Sequence, residues 1–147
     1  MMAKAINPLN RSAAHLLHRA CQCAADIFFA EAGNSGLTPR QFAVLMTIAE
    51  EEGLTQTDLV ERTGIDRSTL ADIVARLLHH GLIQRRRAKD DGRAYAIKLS
   101  AQGAKALREA MPAAAAADVR LLASLPPAKR QECLESLSLI VEADAEE

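Results

Sequence analysis

The chain has no tryptophan, one tyrosine (Tyr95) and only three cysteines among its 147 residues. The cysteines, at positions 21, 23 and 133, are too few and too unevenly spaced for a disulfide scaffold. No apolar run approaches the ~20 residues of a membrane-spanning helix, and the first residues lack the apolar core of a signal peptide. Scarce aromatic residues and abundant alanine favour helices over sheets. These absences predict a mainly helical, soluble protein, and we expect it in the cytoplasm.

The net charge of −1 conceals an uneven distribution of charge along the chain. Residues 62–99 carry nine Lys and Arg against four Asp and Glu, whereas the segments on both sides of them are net acidic. A local basic patch on an acidic body is typical of a protein that binds a polyanion such as nucleic acid.

Catalytic motifs are missing from the sequence. It contains no nucleophile elbow, phosphate-binding loop or pair of carboxylates in a recognisable catalytic context. We therefore expect neither an enzyme nor a bound cofactor.

Residues Ile65–Leu82 have the pattern of a helix that presents one face to a partner. Asp66 is suited to the N-cap and Gly81 to the C′ position. A continuous apolar stripe predicts the buried side: Leu70, Ile73, Val74, Leu77 and Leu78. The opposite face is short-chained, polar and partly cationic, with Arg67, Ser68, Thr69, Asp72 and Arg76. Such a face fits the DNA major groove, where we expect these five residues to contact bases or phosphates.

Two capping boxes precede this helix. Thr38-Pro39-Arg40-Gln41 predicts a helix to about Glu51, and Thr55-Gln56-Thr57-Asp58 predicts a short helix to about Thr63. A short turn containing Gly64 then leads into the exposed helix. Two helices joined by a short glycine-containing turn indicate a helix-turn-helix.

A basic hairpin follows the exposed helix. Leu82–Arg87 and Ala94–Leu99 are predicted to form two strands, with Tyr95, Ile97 and Leu99 on one face of the second. The Asp-Gly turn between them indicates a hairpin, or wing. We expect Arg86, Lys89 and Arg93 to contact DNA, with Arg93 in a minor groove and Asp91 orienting it.

The remaining segments are predicted to form helices at both ends of the chain. The first extends from Arg11 to about Ala32. A second follows Ser100 to about Ala123 and is kinked or ended at Pro112, and a last one covers Lys129–Val141. The acidic end, Glu142–Glu147, is expected to fray. Apolar residues in these helices need a covering surface.

Taken together, these motifs resemble the MarR family of bacterial transcriptional regulators over nearly the whole chain. The similarity is carried by Leu37–Leu45, Thr55–Leu59, Asp66–Leu70, Leu77–Ile83, Asp91–Arg93 and Leu99–Gly103. It implies a winged helix-turn-helix lobe, residues 37–99, and a helical dimerisation region, residues 1–36 and 100–147. It further implies a homodimer on a palindromic, double-stranded DNA operator, acting as a repressor.

The resemblance also implies release from DNA by a small, often aromatic and anionic, ligand. The ligand crevice is expected among the first helix, the helix after Thr38 and the helix after Ser100. His15 and Arg19 are the polar candidates for contacting it. Phe42, Met46 and Met111 are the apolar candidates, although each is equally well explained as core.

Three alternatives remain open. A redox switch through Cys21 and Cys23 is the first, but these cysteines lack flanking cations apart from Arg19, so we interpret them as small buried residues. A metal site is the second, but His15, His18 and the two cysteines spread around the helix instead of converging. The third is a helical adaptor dimer that binds protein.

Overall fold

A computed structural model describes residues 7–87 and 95–146. Among these residues a short 3₁₀ helix, Pro8–Arg11, precedes the first α-helix, and a second one, Gly33–Ser35, follows it. The elements in chain order are α1 (Ala13–Ala32), α2 (Pro39–Glu50), α3 (Gln56–Thr63), α4 (Arg67–His79), β1 (Ile83–Arg87), β2 (Tyr95–Leu99), α5 (Ala101–Leu122) and α6 (Pro127–Ala145).

Both predicted capping boxes are present at the starts of α2 and α3. The Gln41 N–H donates to Thr38 Oγ1 at 3.1 Å, and the Thr38 N–H donates to Gln41 Oε1 at the same distance. At α3 the Asp58 N–H donates to Thr55 Oγ1 at 3.2 Å, and the Thr55 N–H donates back to Asp58 Oδ2 at 2.9 Å. These reciprocal bonds satisfy the free donors of the first turn, so both helices begin where their sequences predict.

The turn between α3 and α4 confirms the helix-turn-helix. Gly64 ends α3 at φ +71°, and its N–H donates to the Val60 carbonyl at 2.9 Å. Asp66 caps α4 by accepting from the Thr69 N–H at 3.1 Å. The predicted helix Ile65–Leu82 is shorter at each end than expected, because the cap residue lies outside it and Gly81 turns the chain at φ +73°.

β1 and β2 pair antiparallel, with Ile83 opposite Leu99 and Arg87 opposite Tyr95. The predicted two-stranded wing is thus confirmed, although its connection, residues 88–94, lies outside the described residues. Ile97 is buried and its N–H donates to the Leu54 carbonyl at 2.8 Å, which holds the ribbon against the segment between α2 and α3. Tyr95 was predicted on the same face as Ile97, but its distance from the base of the ribbon leaves its side chain exposed.

One core lies at the centre of the central lobe, which we define as residues 37–99. Its buried members come from every element of the lobe and from the first half of α5. They are Leu37, Val44, Leu45, Ile48, Leu54, Leu59, Ile65, Leu70, Ile73, Val74, Leu77, Ile83, Ile97, Leu107 and Ala110. The predicted stripe of α4 is buried as expected, except that Leu78 is only half-buried.

The terminal helices, defined here as α1, α6 and the part of α5 after Pro112, pack less completely. Phe28, Ala32 and Ala114 form a small second core between α1 and α5, and α5 continues without a break through Pro112. α6 begins two residues earlier than predicted, and the acidic end expected to fray is helical to Ala145. No described side chain of α6 is buried. None of the described helices is long and apolar enough to cross a membrane.

Candidate nucleic-acid interface

The face of α4 that points away from the core is open to solvent. Arg67, Ser68, Asp72 and Arg76 are exposed, whereas Thr69 is half-buried. Ala71 and Ala75 lie between them and are also exposed, so no bulky side chain blocks an approach to the helix backbone. All five predicted residues thus belong to α4, and four of them are exposed.

A small hydrogen-bond network organises the start of this face. Ser68 Oγ donates to Asp66 Oδ2 at 3.0 Å, and the same oxygen accepts from the Thr69 N–H at 3.1 Å. Hydrogen bonds from Thr69 and then from Ser68 lower the pKa of the Asp66 carboxyl to about 2. Asp66 therefore stays ionised, and the Ser68 hydroxyl is left with free lone pairs as acceptors, because its hydrogen is already donated.

A similar arrangement holds the first turn of α3. The backbone and side-chain hydrogen bonds from Thr55, and more weakly the charge of Arg62, lower the pKa of Asp58. Arg62 itself pairs with Glu51 at 2.9 Å, and both side chains are about half exposed. These contacts hold the first turn of α3, the helix that precedes α4, and join α3 to the end of α2.

The arginines of β1 point to alternate faces of the ribbon, and all three are exposed. The guanidinium carbon of Arg85 lies 5.6 Å from the centre of the Tyr95 ring, within the range of a cation–π contact. Arg86, which we predicted as a DNA contact, belongs to the opposite face of the strand. Sequence reasoning did not select Arg85, although the strand's two-residue period could have separated these arginines.

Arg85 and α4 border the same groove, which has a volume of about 450 Å³. The groove is lined by Gln56 of α3, by Arg85 of β1 and by Ala71, Val74, Ala75, Leu78 and His79 of α4. The Arg85 guanidinium of the ribbon and the Gln56 amide of α3 therefore border the exposed face of α4. One surface thus combines α4 with a cationic group and an amide group. Lys89, Asp91 and Arg93, the predicted residues of the wing loop, lie outside the described residues.

The five predicted ligand contacts do not come together in one place. His15 is half-buried and Arg19 is exposed on α1. Phe42 packs on Phe28 with ring centres 5.9 Å apart, and Met46 packs against the main core. Met111 is 43% exposed on α5.

A cleft of about 400 Å³ does lie among the three helices expected to form the crevice. Its lining consists of Cys21, Ala24, Ala25, Phe28, Thr38, Pro39, Arg40, Ala117, Asp118 and Leu121. None of the five predicted contacts belongs to this lining, because the cleft lies at the first turn of α2 and the second half of α5. Its polar groups include Arg40 and Asp118, neither of which forms an ion pair with another described residue.

The cysteines differ from their predicted environment. Cys21 and Cys23 are exposed in this chain, so the interpretation of both as small buried residues is wrong. Cys21 lies seven residues before Phe28 on the same side of α1 and is exposed because it borders the open cleft, whereas Cys23 lies on another side of the helix. Within the described residues no three His, Cys, Asp or Glu side chains are placed to hold a metal ion.

Comparisons with known proteins agree with this architecture. A sequence profile of the MarR family matches residues 35–94. The transcriptional regulator HosA of Escherichia coli is 35% identical over 96 residues, which are 65% of this chain and 70% of HosA. The transcriptional repressor NicR of Pseudomonas putida is 29% identical over 130 residues, 88% of this chain and 82% of NicR.

Solved structures extend the similarity to nearly the full length. A probable transcriptional regulator from Pseudomonas aeruginosa is 34% identical, with a TM-score of 0.82 over 90% of this chain and 98% of its own. BpsR of Bordetella bronchiseptica, whose DNA binding is regulated by 6-hydroxynicotinic acid, is 26% identical with a TM-score of 0.86, covering 93% of this chain and 98% of its own. The repressor CouR, solved on a 23-mer DNA duplex, has the same identity and TM-score over 95% of this chain and 99% of its own. With its winged helix-turn-helix and these relatives, the chain belongs to the MarR family and is a DNA-binding transcriptional regulator.

Proposed function

We propose that this protein represses transcription as a homodimer that occupies a palindromic DNA operator. The observation that carries the proposal is the surface shared by α4 and the ribbon, where an unobstructed helix face lies beside exposed arginines. A surface of this kind offers donors to base edges and to phosphates at the same time. NicR and CouR, which are both described as repressors, support the sign of regulation.

On the operator, α4 lies in the major groove, and its exposed residues contact different parts of the DNA. Arg67 near the start of the helix reads a base edge, and Arg76 near its end contacts phosphate. Ser68 and Thr69 accept from or pack on bases, and Asp72 can accept a hydrogen bond from a cytosine amino group. Arg85 contacts the DNA backbone from the ribbon and Arg86, on the other face of the strand, contributes less. The loop residues Lys89 and Arg93 reach the adjacent minor groove, with Asp91 orienting Arg93.

The proposed dimer explains the apolar surface of the terminal helices. Leu16, Leu17 and Phe29 of α1 and several side chains of α6 are large, apolar and exposed in the single chain. A monomer would leave this surface in water, whereas a second copy covers it. Two copies then present two α4 helices about 34 Å apart, one turn of DNA.

We further propose that the cleft between α1, α2 and α5 takes a small aromatic anion that releases the protein from DNA. Its volume of about 400 Å³ is within the range of small-molecule sites, and Phe28, Ala24 and Leu121 supply an apolar wall. Arg40 follows Pro39 at the positive end of α2, so a carboxylate is favoured there by a cation and by the helix dipole. The DNA binding of BpsR is regulated by 6-hydroxynicotinic acid, which supports a small aromatic acid as the class of ligand.

Salt dependence tests the DNA proposal against a helical adaptor that binds protein. We expect affinity for an operator, selected by the protein from random duplexes, to fall on the order of 10³-fold between 50 and 200 mM salt if about six phosphates are contacted. Fluorescence anisotropy with a labelled duplex measures it. An affinity that is independent of salt, or equal for selected and unselected duplexes, would contradict the proposal.

Matched pairs of small molecules test the effector proposal. Benzoate and 6-hydroxynicotinate should displace the labelled operator, whereas benzamide, which has the same ring without the charge, should do so much less. Arg40→Ala should weaken release by the acids and leave operator affinity in their absence unchanged. Equal release by benzamide, or an unaltered response of Arg40→Ala, would remove Arg40 from the site.

A further inference from the structure

The end of α4 and the start of α5 are joined through one serine. Ser100 Oγ donates to the Gly81 carbonyl at 2.6 Å, and the Ser100 N–H donates to the Leu82 carbonyl at 3.0 Å. The same Oγ accepts from the Gly103 N–H at 3.0 Å, which caps α5. A residue with an ordinary N-cap role therefore also holds Gly81 and Leu82, which lie just beyond the end of α4.

Gly103 brings the two backbones into direct contact. A Cβ added at Gly103 would lie 1.8 Å from the Leu82 carbonyl oxygen and 2.8 Å from its carbon, so no side chain fits there. Glycine is disfavoured inside a helix relative to alanine, which makes its presence in the first turn of α5 informative. We call Gly81, Leu82, Ser100 and Gly103 the α4–α5 joint.

The joint is rigidly connected to both helices. The Leu82 N–H donates to the Leu77 carbonyl at 3.0 Å, which ties the joint to the last turn of α4. On the other side α5 is a continuous helix from Ala101 to Leu122, and its second half reaches the cleft through Ala117, Asp118 and Leu121. At 1.5 Å per residue, Gly103 and Asp118 are separated by roughly 22 Å of unbroken helix.

We propose that Ser100 and Gly103 are positioning residues that set the angle of α4 relative to α5. This inference rests on the proposed function, because only a dimer reading two half-sites needs a fixed separation of its recognition helices. The close contact at Gly103 prevents the start of α5 from approaching Leu82, and the two hydrogen bonds from Ser100 to Gly81 and Leu82 prevent their separation. The joint therefore determines which half-site spacing the dimer accepts.

The test compares Ser100→Ala with Ser12→Ala, a matched control. Ser12 also caps a helix, accepting from the His15 N–H at 3.3 Å, and it forms no described hydrogen bond to another helix through its side chain. Anisotropy measures binding to the operator that the wild type selects from random duplexes. The same operator with one base pair inserted between its half-sites, and an unselected duplex, are measured alongside it. Sedimentation and thermal unfolding check that each variant remains a folded dimer.

We expect the wild type and Ser12→Ala to prefer the native spacing by about tenfold, since one base pair moves a half-site by about 3.4 Å and rotates it. Ser100→Ala should lose most of this preference and bind the native operator about fivefold to tenfold more weakly. Its binding to the unselected duplex should be unchanged. Ser100→Thr, which keeps the hydroxyl, should restore the preference, and Gly103→Ala should lose it or fail to fold.

A folded Ser100→Ala dimer that keeps the full spacing preference would overturn the inference, as would a fully active Gly103→Ala. Equal losses in Ser100→Ala and Ser12→Ala would assign the effect to capping alone and overturn it as well. A wild type that accepts every spacing would instead contradict the palindromic dimer on which the inference rests.

Discussion

In the central lobe the apolar side chains meet one another, whereas in the terminal helices many of them face outward. The lobe buries leucine, isoleucine and valine from all of its elements around one core. The second core holds only Phe28, Ala32 and Ala114, and Leu139, Ile140 and Val141 of α6 are each more than half exposed. The lobe buries its apolar side chains within one chain, whereas the terminal helices leave an apolar surface that a second copy of the chain could cover.

Because of this difference, we expect polar substitutions to affect the folding of the central lobe but the assembly of the terminal helices. A polar residue in the core of the lobe unfolds the lobe, because nothing outside the chain supports it. In the proposed dimer, a polar residue on the outer face of α6 leaves the packing within one chain unchanged and acts on the contact between the two copies alone.

The largest effect is expected from Leu137→Asp in α6. Leu137 is 39% exposed in the single chain, and a carboxylate there cannot be buried against a partner without a large desolvation cost. We expect a monomer that binds the palindrome at least 100-fold more weakly, since the second half-site no longer contributes. Sedimentation and anisotropy measure both. Glu135→Lys is the control, since at 100° per residue this exposed and already charged side chain lies on the opposite side of α6 from Leu137. A Leu137→Asp variant that remains a stable dimer would contradict the proposal that α6 contacts the second copy.

Arg67→Ala comes next. Loss of a bidentate base contact should cost on the order of 1–3 kcal/mol, or about 5- to 150-fold in operator affinity, and should relax selection at one position per half-site. Arg76→Ala should weaken all duplexes alike. The control is Arg120→Ala, which removes an exposed arginine that pairs with Glu31 in the terminal helices. Repeating the duplex selection with each variant separates these outcomes. If Arg67→Ala selects the same sequence as the wild type, Arg67 does not contact a base and α4 is not docked in the major groove as proposed.

A smaller effect is expected from the two arginines on opposite faces of β1. Arg85 borders the groove beside α4, whereas Arg86 belongs to the other face. Arg85→Ala should therefore weaken binding more than Arg86→Ala, and should reduce the slope of log affinity against log salt by about one. Thermal unfolding should be nearly unchanged for both. The reverse order would indicate that the ribbon docks on its other face.

The smallest effect concerns the cap of α4 and appears only in acid. Hydrogen bonds from Thr69 and Ser68 lower the pKa of Asp66 to about 2 from an ordinary 3.8, so ionised Asp66 stabilises the folded state above pH 3.8. That stabilisation is lost as the pH falls from 3.8 towards 2. Asp66→Asn also caps the helix but does not titrate. We expect the difference in Tm between wild type and variant to be constant near neutrality and to shrink below about pH 4. A difference that stays constant in acid would contradict the assigned pKa.

The sequence by itself determined the features that depend on residues close together in the chain. The caps at Thr38, Thr55, Asp66 and Ser100 are all satisfied by a partner three residues later. The turns at Gly64 and Gly81 depend on a single left-handed residue. Because donor, acceptor and dihedral angle are local, the helix-turn-helix, the ribbon and the exposed face of α4 could be predicted from the pattern alone.

Only the tertiary structure decided which side chains share a space. The cleft is lined by Arg40 and Asp118 instead of His15, Arg19 or Met111, because its position depends on how α1 and α5 cross. The exposure of Cys21 beside this cleft and the contact of Gly103 with Leu82 likewise depend on residues that are distant in the chain. The helical period predicts which residues share a face of a helix. It does not predict which face a neighbouring helix covers, because that contact joins residues far apart in the chain.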